Sequence, residues 1–559
     1  MIVQASTSWL SRFSRIWNSL RVEQHGHYSA QRLIDLQKYS NIINTVELLV
    51  IILATPLPCL LTVILADVTP LNSPEAGTNS NIVFWLRSCL IIGLYTMSFV
   101  VQFREMLPTL PMSRERSFGI TVFVSSGVIL FAYSMSLVIG FPVPFLMVVG
   151  APLWMILILG SFAISWKNLI CGDSAVQTQI VNGLKMFMVQ MSMIAIYPFY
   201  IYIFTSLSSV GQALFSLVLL IIKLAIKNGI SLYIPSNIDM QPEIVVFNVD
   251  IFNALFVSFS MQTSTSKLTV IVIVVVDLLR MASSLREVKL LVHELKKLEK
   301  QINSLKPLVQ DGINLTRKQR NPLSRACSII ARRSFATTNF DMRLLSAKQG
   351  PRLQVKPLHF LFRSKQVLPR KSFNHHSKYH SMGAKTQETR VPETLNADSK
   401  RWKSSRTDPQ PKFVFLERQY ARKVLNLLHL TEFTILIEYI EVIVPVVYSI
   451  YVVAMSYLPN RVYYAQLAYM DVESTLSNVL LYSFLEFLSL ILLTTFLRKT
   501  MEYSPTHQLA FVLRTQWKMV QSTLVLWVVY VVQSSLVHFG TLKMPQLLHY
   551  VDLRLIQRS

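Results

Sequence analysis

Eleven runs of apolar residues, each near the length of one bilayer crossing, dominate this chain and leave few ways to fold it in water. A helix needs about 20 residues to cross a hydrocarbon layer of roughly 30 Å. The runs that meet or approach this length are 45–66, 82–102, 118–140, 144–165, 187–207, 211–229, 244–262, 267–282, 433–457, 476–497 and 518–538. Soluble domains carry about a quarter charged residues; here charged residues are 15% and hydrophobic ones 52%, too apolar for water to cover. The expected fold is all-α, a polytopic integral membrane protein with about 11 transmembrane helices. The weakest members are the sixth run, with Lys223 and Lys227, the seventh, with Asn248, Asp250 and Asn253, and the short eighth.

A basic insert divides these runs into a block of eight (45–282) and a block of three (433–538). From Lys300 to Lys423 it holds 27 Lys and Arg against 7 Asp and Glu, which is +20 of the chain's +24. Arg12, Arg15, Arg21, Arg32 and Lys38 precede the first run, and Arg104, Arg114 and Arg116 follow the second; the loop 67–81 has acids and no Lys or Arg. Because basic loops stay on the cytoplasmic side, the N-terminus and the insert are expected in the cytosol, with Asn314-Leu-Thr316 there too and unglycosylated. Residues 306–411 mix Ser, Arg, Lys, Gln and Pro without sustained periodicity, which predicts a long, largely disordered segment facing anionic lipid headgroups. No folded module interleaves aromatics with these basic positions, so nucleic acid is not an expected partner.

Three amphipathic helices should flank the spans. In the N-terminal segment 1–44, Trp9, Phe13, Ile16, Trp17 and Leu20 share one helical face, as in an interfacial helix; an acid-free, Arg-rich start also fits a mitochondrial transit peptide. In 283–305, Val288, Leu291, Leu295, Leu298, Ile302 and Leu305 recur at heptad spacing. Glu294 and Glu299 would face each other in a parallel dimer, which favours packing on the chain's own bundle or the bilayer over self-association or a protein partner through 288–305. In 412–431, Phe413, Leu416, Tyr420, Val424 and Leu427 line a second interfacial helix; 539–559 is a tail.

Ionisable groups inside a bilayer are costly, so each is a candidate for function. Counting 1.5 Å per residue, Lys223, Glu441 and Glu486 fall roughly 12 to 17 Å from their helix starts, near the midplane. Glu47, Arg87, Asp277 and Glu438 count out nearer an interface, although Glu438 shares a face with Glu441. With Asp250, the intramembrane set is Lys223, Asp250, Glu438, Glu441 and Glu486: either a cation or proton relay or a closed salt-bridge network. Pro56 and Pro58 should kink the first span and free carbonyls that a solute could use. His375, His376 and His380 form a lone H-H-x-x-x-H, too little for a di-iron centre, and no CxxC, HExxH, phosphate-binding loop or GxSxG is present. No metal, cofactor or enzymatic activity is therefore expected. Cys171, at the inner end of the fourth span, is a candidate for palmitoylation.

Thr55-Pro56-Leu57-Pro58, then Pro70-Leu71 and Gly77, Phe84-Trp85-Leu86-Arg87 and Phe141-Pro142-Val143-Pro144-Phe145 give the first half of the chain a distinctive cast. It resembles a large family of uncharacterised multi-pass membrane proteins from oomycetes. The resemblance implies a membrane fold and carries no chemistry to particular residues. The residues themselves suggest a transporter or channel for a small solute or ion, or alternatively a receptor or scaffold acting through its basic insert.

Overall fold

A computed structural model describes residues 21–24, 26–107, 110, 112–172, 174–234, 239–263, 267–309, 322–336, 409–464, 467, 472–501 and 503–540. The expected helix in residues 1–20, the Asn314 sequon, the histidine cluster and the tail beyond residue 540 lie outside that set. Among the described residues the chain is helical with short 3-10 turns and has no strand, only an isolated bridge between Tyr464 and Leu536.

The first run is broken as its prolines require, into α1 (Thr45–Ala54) and α2 (Leu57–Val68). There follow α3 (Ile82–Met106), α4 (Arg114–Ile139), α5 (Leu146–Ser165), α6 (Lys167–Gly172), α7 (Ser174–Ser206), α8 (Ser209–Tyr233), α9 (Gln241–Thr263) and α10 (Lys267–Val309). Beyond them lie α11 (Pro322–Ala336), α12 (Pro409–Ser456), α13 (Val472–Met501), α14 (Pro505–Thr515) and α15 (Trp517–Gln533). A separate short helix, Ala30–Ile42, precedes the first span, its start capped by the Ser29 hydroxyl, which accepts from the Arg32 amide.

Eight stretches are long and apolar enough to cross a membrane, among them Thr45–Val68, taken as one broken span, and Lys412–Ser456. Of the eleven expected runs, the three that fall short lie on α9, α10 and α15. Every side chain of α9 from Pro242 to Ser258 is buried. It is enclosed by α8, α12, α13 and α15, so neighbouring helices take the place of lipid around its polar residues. At 17 residues, α15 is a little short for a crossing, and it too is mostly buried.

Two helices are far longer than a bilayer is thick. At 43 and 48 residues, α10 and α12 would reach about 64 and 72 Å. The expected heptad helix 283–305 and interfacial helix 412–431 are continuous extensions of these two spans, and they pack on each other. Val288, Leu295, Leu298 and Ile302 on one, and Leu416, Tyr420, Val424 and Leu427 on the other, are all buried. Both apolar faces are thus used up within one chain. Part of the insert is also ordered: α11 docks on α12 and on Ala30–Ile42. Arg325 binds Glu299, donates to Asn303 at 3.0 Å and lies over the Tyr420 ring. Burial there pushes the Cys327 thiol up to about 12. Gly26 admits the chain against this layer, since a Cβ would fall inside the His429 ring.

Candidate functional site

Lys223 and Lys227 sit one turn apart on α8 and so share a face. They meet Asp250 of the enclosed α9, each ammonium 2.8 Å from one carboxylate oxygen. Lys223 also donates to Glu441 of α12 at 3.0 Å. From α10, Arg280 binds the other oxygen of Glu441 and lies 3.5 Å from Glu438 and 3.6 Å from Asp277. The Ser489 hydroxyl on α13 donates to Glu438 at 2.7 Å. One turn before it, Glu486 is only 2% exposed and has no hydrogen-bond or ion-pair partner among the described residues. Its carboxylate oxygen nevertheless lies within 4.8 Å of oxygens from Glu438 and Glu441.

The charges do not balance. Five carboxylates (Asp250, Asp277, Glu438, Glu441, Glu486) face three cations (Lys223, Lys227, Arg280). Removing an ion from water costs several kcal/mol even after relaxation, and only paired, hydrogen-bonded charges offset it. Fully ionised, the cluster would leave the negative excess near Glu486. Two added protons would neutralise it, or a hard cation, which prefers carboxylate oxygens; Glu438, Glu441 and Glu486 are the residues that could hold one.

A second network closes one end of the bundle. Asp67 of α2 binds Arg87 of α3 and accepts from Tyr464 at 2.5 Å, Tyr451 at 2.8 Å and Gln533 at 3.1 Å. Arg87 also donates to Tyr464 at 2.6 Å and to Gln533 at 2.8 Å through the same nitrogen. Asn460 donates to the carbonyls of Asp67 and Thr69, both at 2.7 Å. A third network, around Arg32, joins Ala30–Ile42 to α9 and α12: Arg32 binds Glu243 and, at 2.8 Å, Glu432, to which Tyr28 also donates. Gln508 of α14 donates to Tyr28 at 2.7 Å.

All five intramembrane candidates, Lys223, Asp250, Glu438, Glu441 and Glu486, fall in the first cluster. Asp277 and Glu438, counted nearer an interface, belong to it as well. Depth measured from the apparent ends of the runs fails because α10 and α12 continue well past them. Sequence reasoning missed Arg280 altogether and treated Lys227 only as a blemish in its span. The available signals were the i, i+3 pair Asp277–Arg280 inside an apolar run and the i, i+4 pair of lysines.

The kink is present, and its freed carbonyls are already used. Pro56 lacks the amide that would bond to Ile52, and the Tyr439 hydroxyl donates to that carbonyl at 2.9 Å. Gln521 donates to the carbonyl of Thr55 at 2.6 Å. Pro56 and Pro58 thus shape a joint gripped by α12 and α15. Cys171 lies on α6, and its side chain is outside the described set.

No family model, no curated protein and no solved structure matches this chain.

Proposed function

We propose that this is a polytopic membrane protein that moves a small cation or protons, with the cluster around Glu486 as the site where charge is exchanged. The observation that supports this most is Glu486 itself: a carboxyl buried among apolar helices, without a partner, beside two further carboxylates. Closed structural networks do not leave such a group. Intramembrane carboxylates that face the bundle interior are the usual elements of ion paths and proton relays.

The informative variant is Glu486→Gln. It preserves shape and removes no observed hydrogen bond, whereas Glu441→Gln would strip Lys223 and Arg280 of their shared acceptor and confound function with folding. Purified protein is reconstituted in vesicles holding a pH-sensitive dye, and flux is followed after imposing proton or sodium gradients. Wild-type protein should dissipate at least one of these, and Glu486→Gln should slow it by at least tenfold with unchanged thermal stability. Equal rates in the two proteins, or no flux above protein-free vesicles, would overturn the reading. Removing residues 340–408 should leave the rate within about twofold. A wider deletion reaching 310 would also take α11, which docks on α12 and on Ala30–Ile42.

A further inference from the structure

We infer a second site, unrelated to the charge cluster: a cavity of about 370 Å³ among α3, α4, α5, α7 and α15 that binds one neutral, mostly apolar molecule bearing a hydrogen-bonding group. No charged side chain lines it; the walls are aliphatic, methionine and aromatic side chains, including Trp85, Trp154 and Tyr530. Three polar groups break this surface, Ser88, Tyr95 and Trp527. The Ser88 and Tyr95 hydroxyls and the Trp527 indole nitrogen are buried, and none has a hydrogen-bond partner among the described residues.

Ser88 is the most telling of the three. A hydroxyl in an apolar helix ordinarily bonds to the carbonyl one turn back. Thr96, Thr121 and Ser134 do so here, at 2.8, 2.9 and 2.8 Å. Ser88 is 2% exposed and Trp527 1% exposed, yet each forgoes a partner, at a cost of about 1–3 kcal/mol per unsatisfied group. The cavity's occupant is the natural source of the missing bonds. Water fits poorly, because each buried water wants about two to four polar neighbours and three groups spread over an apolar wall cannot supply several waters.

Size and polarity define the ligand class. A dry cavity of about 150 Å³ holds benzene, so on that scale this one suits a compact molecule of roughly 10–20 non-hydrogen atoms. Trp527 can only donate, whereas Ser88 and Tyr95 can donate or accept; the ligand needs an acceptor oxygen and gains from a hydroxyl. Val148 of α5 and Ala195 of α7 are exposed members of the lining, which places the mouth between those helices, among side chains suited to lipid. The ligand would enter sideways from the bilayer.

The test uses full-length protein in nanodiscs, with radiolabelled 2-naphthol and naphthalene as probes in equilibrium dialysis against empty nanodiscs. Expected is saturable, one-site binding of 2-naphthol, with naphthalene weaker by about fivefold to tenfold, the worth of one net hydrogen bond. Gly150→Leu should abolish it by filling the cavity. A Cβ there meets nothing closer than Val128 at 3.8 Å, so the variant should fold. Ser88→Ala and Trp527→Phe should each shrink the preference for 2-naphthol while retaining naphthalene. Retention equal to that of empty nanodiscs, or saturable binding unchanged by Gly150→Leu, would overturn the site. So would a phospholipid retained in native mass spectra that 2-naphthol fails to displace, since it would make the cavity a lipid seat only.

Discussion

Asp67 and Glu486 are both carboxylates enclosed by helices, and their surroundings differ in one decisive respect. Four side chains from three other parts of the chain converge on Asp67, and its charge is matched by Arg87. Glu486 has two carboxylates as neighbours and no donor. The first arrangement gains from staying as it is, because every movement breaks a charge-assisted bond. The second is incomplete without an added proton or cation. Burial of charge alone therefore does not mark function in this chain; an unbalanced, unpartnered charge does.

The comparison breaks most visibly at Arg87. Arg87→Met should lower stability by about 3–5 kcal/mol, because it strands the Asp67 carboxylate in a low-dielectric interior. Most of the loss should return in the Asp67→Asn/Arg87→Met double variant, which strands no charge. Thermal unfolding in detergent across this double-mutant cycle measures it. If Arg87→Met unfolds like wild type, the network around Asp67 holds nothing together and its contrast with Glu486 disappears.

Next in size is the opposite outcome at Glu486. Glu486→Gln should change stability by no more than about 0.5 kcal/mol, as expected where no contact is lost, and a rise is the more informative sign. Marked destabilisation would mean that the carboxylate has a structural partner, and the reading of an open site would fall.

Much of this architecture is legible in the sequence, and the gaps have physical causes. Long apolar runs announce the helical bundle, and polar residues within them point to the right cluster, because few side chains can sit there without a reason. The enclosed status of α9 is not legible: a fully buried helix and a lipid-facing one are both apolar all round. The same ambiguity hid how Val288 to Ile302 and Leu416 to Leu427 are used, since an amphipathic face does not name what covers it. Pairing was out of reach as well. Asp250 lies some 190 residues from Glu441 in the chain, and nothing local says that Lys223 bridges them. In α11, the start signal Asn321-Pro322 and the apolar positions Leu323, Cys327 and Ile330 were readable, and the surrounding basic composition masked them.

The basic insert sharpens the comparison by showing where ion movement does not reside. We propose that its undescribed part engages anionic lipid. Protein lacking 340–408 should bind phosphatidylserine vesicles more weakly by about 1 kcal/mol for each basic residue that was engaged. The difference should shrink between low and high salt in a flotation assay. Binding indifferent to ionic strength would remove the lipid partner.

The smallest effect belongs to Tyr439, and it separates the two kinds of site on one helix. Tyr439 stands between Glu438 and Glu441 in sequence, yet its hydroxyl points away from them, to the Ile52 carbonyl that Pro56 leaves open. A hydrogen bond of this kind is worth about 0.5–1.5 kcal/mol net, so Tyr439→Phe should lower stability by that amount. Flux should stay within about twofold of wild type, because the change touches the joint between α1 and α2 and none of the five carboxylates. Were flux instead to fall as far as in Glu486→Gln while the protein stayed folded, the broken first span would be part of the path, its carbonyls offered in turn to Tyr439 and to the moving ion.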